Sequence, residues 1–172
     1  MRLLWDLYWP ALAAALIIGV IIGTLAYRRG RPRGRRLIIV GVGIAATIAA
    51  TALWHGPFGT AEAFRSGVET AARETLDHFE MPQVQARLER PLTRTLLLSG
   101  PADDFQRTEL RRIMGEVPGV GQARWADGPQ QGGPKIPMIA EAAFWSLVVF
   151  GLGLLLAYLV ELRRRSRSEW RW

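Results

Sequence analysis

The chain has 172 residues, 49% of them hydrophobic and 22% charged, with no cysteine and a formal net charge of +7. Without cysteine, disulfide staples, thiolate metal sites and acylation at a cysteine are excluded. The positive charge does not mark a nucleic-acid binder, because it is not on the part that reads as a folded domain: Arg28 to Arg36 and Arg163 to Arg171 hold eleven of the twenty-one arginines, whereas residues 55–138 carry ten basic and eleven acidic side chains. A single lysine, Lys135, together with abundant Ala and Gly, reads as a GC-rich bacterial gene.

Pro10 to Tyr27, Leu37 to Trp54 and Ala142 to Val160 are uncharged runs of 18, 18 and 19 residues. A hydrocarbon core of about 30 Å takes roughly 17 to 25 apolar helical residues to cross, so each run predicts a transmembrane helix. Trp5, Tyr8, Trp9, Tyr27, Trp54, Trp145 and Tyr158 lie near their ends, as in the aromatic belts of membrane interfaces. A cleaved signal peptide does not fit the first run, because the arginine block follows the apolar stretch instead of preceding it. Short arginine-dense loops stay cytoplasmic during insertion. The expected topology therefore has the amino terminus and residues 55–138 outside and the carboxyl terminus in the cytoplasm, in a bacterial inner membrane.

Between the second and third spans, His55, Gly56, Pro57, Phe58 and Gly59 form a breaker cluster. Thr60 with Glu62 then opens a helix in which Phe64, Val68, Ala72, Leu76 and Phe79 recur at helical spacing and predict one buried stripe. Val84, Ala86 and Leu88 alternate with polar residues as in a half-exposed strand, and Thr93 to Leu98 reads as a second strand. Asp103 with Gln106 resembles a capping box. The helix it opens runs through Glu116, with Leu110, Ile113, Met114 and Val117 inward and Arg107 and Arg111 solvated. Val120 to Ala126 is the third strand, expected parallel to the second through a right-handed crossover.

Leu96 to Trp125 resembles the second half of a BON domain, a small αββαβ module of bacterial envelope proteins. The resemblance rests on the apolar strand Leu96 to Leu98, Gly100, the acidic turn Asp103 and Asp104, and the pair Gly119 and Val120. It extends over about residues 60–126, with Pro101 and the Glu89 to Thr93 loop departing from the usual turns. It implies a module that binds phospholipid or protein without catalysis, and assigns no residue-level site. The fold expected is thus an integral membrane protein with three transmembrane helices plus a small α+β BON-like periplasmic domain. Its domains are a helical hairpin at 1–56, the BON-like module at 57–126, a Gly/Pro linker at 127–138, and the third helix with its arginine-rich tail at 139–172.

Motifs for chemistry are few. The two histidines, His55 and His78, have no metal-ligand spacing, and Gly41, Val42 and Gly43 lie inside an apolar span instead of a strand-turn-helix phosphate loop. His55, beside Trp54, is expected at headgroup level. No catalytic residue, cofactor or metal is expected. Candidate lipid-headgroup contacts are Arg28, Arg29, Arg31, Arg33, Arg35, Arg36, Arg163, Arg164, Arg165 and Arg167, each worth about 1 kcal/mol near an anionic surface. Candidate helix-packing residues are Gly19 and Gly23 on the first helix and Gly41 and Ala45, continuing to Ala49, on the second, small residues that let helices approach closely. Glu141, just inside the third helix, is a candidate for the outer interface or for pairing with another subunit. Membrane lipids and membrane-protein partners are expected, nucleic acid is not. These features describe an accessory or scaffolding subunit of a larger complex, the alternative being a phospholipid-binding envelope stress factor.

Overall fold

The computed structural model describes residues 2–28, 31–56, 59–128 and 137–169, and of 2–7 and 167–169 the backbone alone. Arg29, the Pro57–Phe58 link, most of the Gly/Pro linker and the Trp170 to Trp172 tail lie outside the described residues. The chain is mostly helical and divides into two compact units. One comprises residues 1–7 with Gly59–Met138, the other Tyr8–Phe58 with Ile139–Trp172.

The second unit is built of α1 (Arg2–Ala26) from Tyr8 onward, α2 (Arg33–His55) and α5 (Met138–Glu169) from Ile139 onward. All three are long and apolar enough to cross a membrane, over Tyr8–Ala26, Arg33–His55 and Met138–Ser166. Their outward side chains, including Ile17, Ile21, Leu37, Ile38, Leu152 and Leu155, are about half exposed or more. That pattern is destabilising in water and suits hydrocarbon, where the backbone must be satisfied within each helix.

The first unit is a two-layer arrangement of α3 (Thr60–His78), β1 (Gln85–Leu88), β2 (Thr95–Ser99), α4 (Asp104–Gly115) and β3 (Gln122–Trp125). The sheet order is β1-β2-β3, with β1 antiparallel and β3 parallel to β2. Register places Leu88, Leu96 and Ala123 in one row and Ala86, Leu98 and Trp125 in the next. Because side chains alternate along a strand, these rows line one face, while Gln85, Arg87 and Gln122 turn to solvent on the other. Phe64, Val68, Ala72 and Leu76 of α3 and Leu110 and Met114 of α4 complete the core.

Phe79 departs from the expected stripe and is 47% exposed. The helix stops at His78, and Glu80 takes a positive φ of 56°, so the helical spacing no longer applies one residue later. Gly100 and Gly119 have positive φ, 133° and 97°, and a Cβ there would meet Gln83 O at 2.5 Å and Val68 Cγ2 at 2.9 Å respectively. Both turns therefore need glycine for conformation and for space.

The capping box is formed: Gln106 N donates to Asp103 Oδ1 at 2.7 Å and Asp103 N donates to Gln106 Oε1 at 3.1 Å. Asp103→Ala should cost about 1 kcal/mol of stability, in the usual range for a lost N-cap, and a thermal melt of the intact protein measures it.

Candidate interaction site

Within the membrane-type unit, α1 buries Ala11, Ala15, Gly19, Gly23 and Ala26, a face stepping by three and four residues. Across from it, α5 presents Phe150, Gly153 and Ala157, and Ala142 and Ser146 are buried further along α5. Contact at the centre is backbone on backbone: a Cβ on Gly153 would lie 2.7 Å from Leu16 O and 2.9 Å from Gly19 Cα. One turn further, a Cβ on Gly23 would lie 2.5 Å from Ala157 Cβ. Gly19 and Gly23 are thus packing residues, and the partner they face is α5, not α2.

On α2 the buried face is Gly43, Thr47, Thr51 and His55. Gly41, Ala45 and Ala49 are exposed, and a Cβ on Gly41 would meet nothing within 4 Å. The second small-residue stripe therefore takes no part in packing within the described chain. Small residues occur on both faces of α2, and the polar ones decide between them: in hydrocarbon, hydroxyl and imidazole groups turn toward other helices. Thr47, Thr51 and His55, four residues apart, were the legible signal.

Those groups form a polar seam. Thr47 Oγ1 donates to Gly43 O at 2.9 Å, Thr51 Oγ1 bonds Thr47 O at 3.0 Å, and the hydroxyls of Thr51 and Ser146 are 3.1 Å apart, linking α2 to α5. His55 Nδ1 lies 3.1 Å from Thr51 O, and the imidazole, expected at headgroup level, is turned inward and buried. Its ring meets Tyr8 edge-on at 6.4 Å. Tyr8 Oη in turn donates to Glu141 Oε2 at 3.1 Å, so half-buried Glu141 has an acceptor role inside the chain. Residues 133 apart in sequence are joined here.

At the opposite end of the same bundle, Tyr27 and Tyr158 stack edge to face at 5.3 Å. Arg165 donates to Tyr27 O at 3.1 Å and pairs with Glu161 at 3.1 Å. Arg165 therefore closes the carboxyl end of α1, using a cation where the helix dipole favours one. Arg28, Arg33, Arg35, Arg163 and Arg164 are exposed, and Arg31 and Arg36 half-buried; the side chain of Arg167 lies outside the described residues. The ends of α1 and α5 that carry the arginines meet at one end of the unit, and Tyr8, His55 and Glu141 mark the other.

In the α/β unit several charged groups are structural. Arg107 sits 4.8 Å from the centre of the Trp125 ring, pairs with Asp127 at 3.0 Å and donates to Ala102 O, while Trp125 Nε1 donates to Arg107 O at 3.0 Å. Arg107, expected to be solvated, is only partly so, since Trp125 and Asp127 hold it; Arg111 is exposed. Arg124 of β3 bonds Glu89, just past β1, at 2.6 Å across the intervening β2. Among the described residues, no three His, Asp or Glu side chains converge as metal ligands.

The hydrogen bond from Arg107 holds the Asp127 carboxyl below the usual carboxylate range. A depressed folded value contributes stability that is present above the unfolded value and is lost as pH falls through the folded one. Asp127→Asn should therefore flatten the acid side of the stability profile slightly, the pair being solvent-screened, as melts across the acidic range would report.

No family model, curated protein or solved structure matches the chain.

Proposed function

We propose that this chain is a non-enzymatic accessory or scaffolding subunit of a larger complex in a bacterial inner membrane, with its α/β unit on the periplasmic side. The observation that carries the reading is the division of small-residue faces. The Gly19, Gly23 and Gly153 seam is used up within the chain, whereas Gly41, Ala45 and Ala49 lie open along a membrane-length helix. In lipid, such a face favours close approach of another helix. The αββαβ order and the glycine turns at Gly100 and Gly119 are what a BON-like interaction module requires, and support giving the α/β unit a binding role. Arginine-bearing ends of α1 and α5 at one end of the bundle support a common cytoplasmic side for both clusters.

Purification in mild detergent followed by crosslinking mass spectrometry tests the reading. A co-purifying membrane protein crosslinked along the Gly41 face is expected, and a solitary monomer would sink the proposal. A periplasm-active reporter fused at Gln130 and a cytoplasm-active one at Trp172 should both be active; the inverse pattern would reverse the orientation.

Phe105 favours a second reading, in which the α/β unit binds phospholipid: it is 76% exposed in the first turn of α4. A photocrosslinking side chain introduced at position 105 in native membranes separates the two. Capture of lipid favours the envelope-factor reading, and capture of protein the scaffolding one.

A further inference from the structure

The polar seam ends on a group whose bonding is incomplete. His55, the last residue of α2, is 4% exposed, and its Nε2 is buried with no hydrogen-bond partner among the described residues. Thr51 O can only accept, so Nδ1 carries the proton of that 3.1 Å bond and the neutral ring presents a bare Nε2. The packing encloses that atom too closely for a ligand to reach it.

We propose that His55 is a proton-operated latch at the Tyr8, His55 and Glu141 end of the helix bundle, packed when neutral and released when Nε2 is protonated. This rests on the three helices spanning a membrane. The neutral ring is suited to its surroundings: an edge contact with Tyr8 of α1 and one bond to its own helix. An imidazolium is not, because it has two donors to satisfy and, among the described residues, the packed arrangement supplies only the Thr51 carbonyl; a buried charge without hydrogen bonds is expelled toward water.

The described titratable groups at this end are Tyr8 of α1 and Glu141 of α5, already bonded to each other at 3.1 Å. In the packed arrangement no bond joins Nε2 to Glu141, so capture of Nε2–H by the carboxylate requires side chains at this junction to move. The dipole at the carboxyl end of α2 favours a cation, but through the carbonyl that the neutral ring already uses. Charging His55 therefore rearranges the junction by either route, and mild acid on that side of the membrane loosens it.

The full chain in lipid nanodiscs, carrying His78→Gln so that one imidazole remains, supplies the test. At about pH 8, where an ordinary histidine is neutral, nitrogen NMR should show the Nδ1–H tautomer. Between about pH 8 and pH 5, amide protection at residues 51–56 and 141–146, corrected for intrinsic exchange, should fall roughly tenfold. His55→Phe should abolish that fall, and Glu141→Gln should keep it. An Nε2–H tautomer, unchanged protection in the unsubstituted chain, or a fall that survives His55→Phe or vanishes only in Glu141→Gln would overturn the proposal. Should His55→Phe fail to fold, the tautomer and the protection of the unsubstituted chain decide it.

Discussion

Gly153→Leu should split α1 from α5. The added Cβ alone would lie 2.7 Å from Leu16 O, 2.9 Å from Gly19 Cα and 2.9 Å from Val20 N, all backbone atoms that cannot rotate aside as a side chain would. Overpacking a well-filled contact typically costs about 1 to 3 kcal/mol, and a rigid backbone on the far side puts this case at about 3 kcal/mol or above. The expected result is a large loss of resistance to denaturing detergent, read from an SDS titration of helicity. Gly151→Leu and Gly41→Leu are the matched controls, since a Cβ at either meets nothing within 4 Å, and both should titrate like the unsubstituted chain. If Gly41→Leu leaves the isolated chain intact yet abolishes recovery of a partner, the division of small-residue faces between internal packing and docking gains direct support.

Phe64→Ala should unfold most of the α/β unit. The ring is 2% exposed and packs beneath the turn at Gly119, where a Cβ would approach Phe64 Cζ at 3.1 Å. Removing a buried phenylalanine costs about 3 to 5 kcal/mol, against about 5 to 15 kcal/mol of total stability for a domain, the low end applying to small ones. Limited proteolysis of the intact protein should show rapid cleavage within residues 60–128 while the helical unit persists. Phe105→Ala, removing an equally large but exposed ring, should change stability by less than about 0.5 kcal/mol. Equal proteolysis of the two variants would contradict the assignment of the core.

Periodicity made the α/β unit largely legible. Phe64, Val68, Ala72 and Leu76 announce the inner face of α3, and the alternation through Val84 and Leu88 announces β1, because each pattern matches the geometry of its own element. Phe79 fitted the same arithmetic but lies beyond the helix end, which the backbone at Glu80 sets. Arg107 was read only in part for a different reason: it is partly solvated, but its partners, Trp125 and Asp127, follow 18 and 20 residues later, and a single guanidinium in a helix pattern carries no sign of them. In the membrane-type unit, length and apolarity disclosed the helices, but not which face of α2 turns inward. Small-residue spacing pointed to Gly41 and Ala45, whereas hydroxyl and imidazole groups two residues out of phase define the buried side. The Tyr8 to Glu141 bond joins opposite ends of the sequence and has no local signature.

Arg165 bonding to Tyr27 O draws two stretches of like charge to one end of the bundle, including Arg28, Arg163 and Arg164, which are exposed. Their mutual repulsion opposes the folded arrangement and is relieved by whatever anions gather there. In thermodynamic terms, an anionic lipid is then a ligand that binds the assembled helices better than the separated ones, and each such ligand raises the free energy of unfolding by mass action. The bundle should accordingly melt higher in bilayers rich in phosphatidylglycerol or cardiolipin than in zwitterionic ones, with high salt narrowing the gap. Lipid composition would thus set how firmly the three helices hold together.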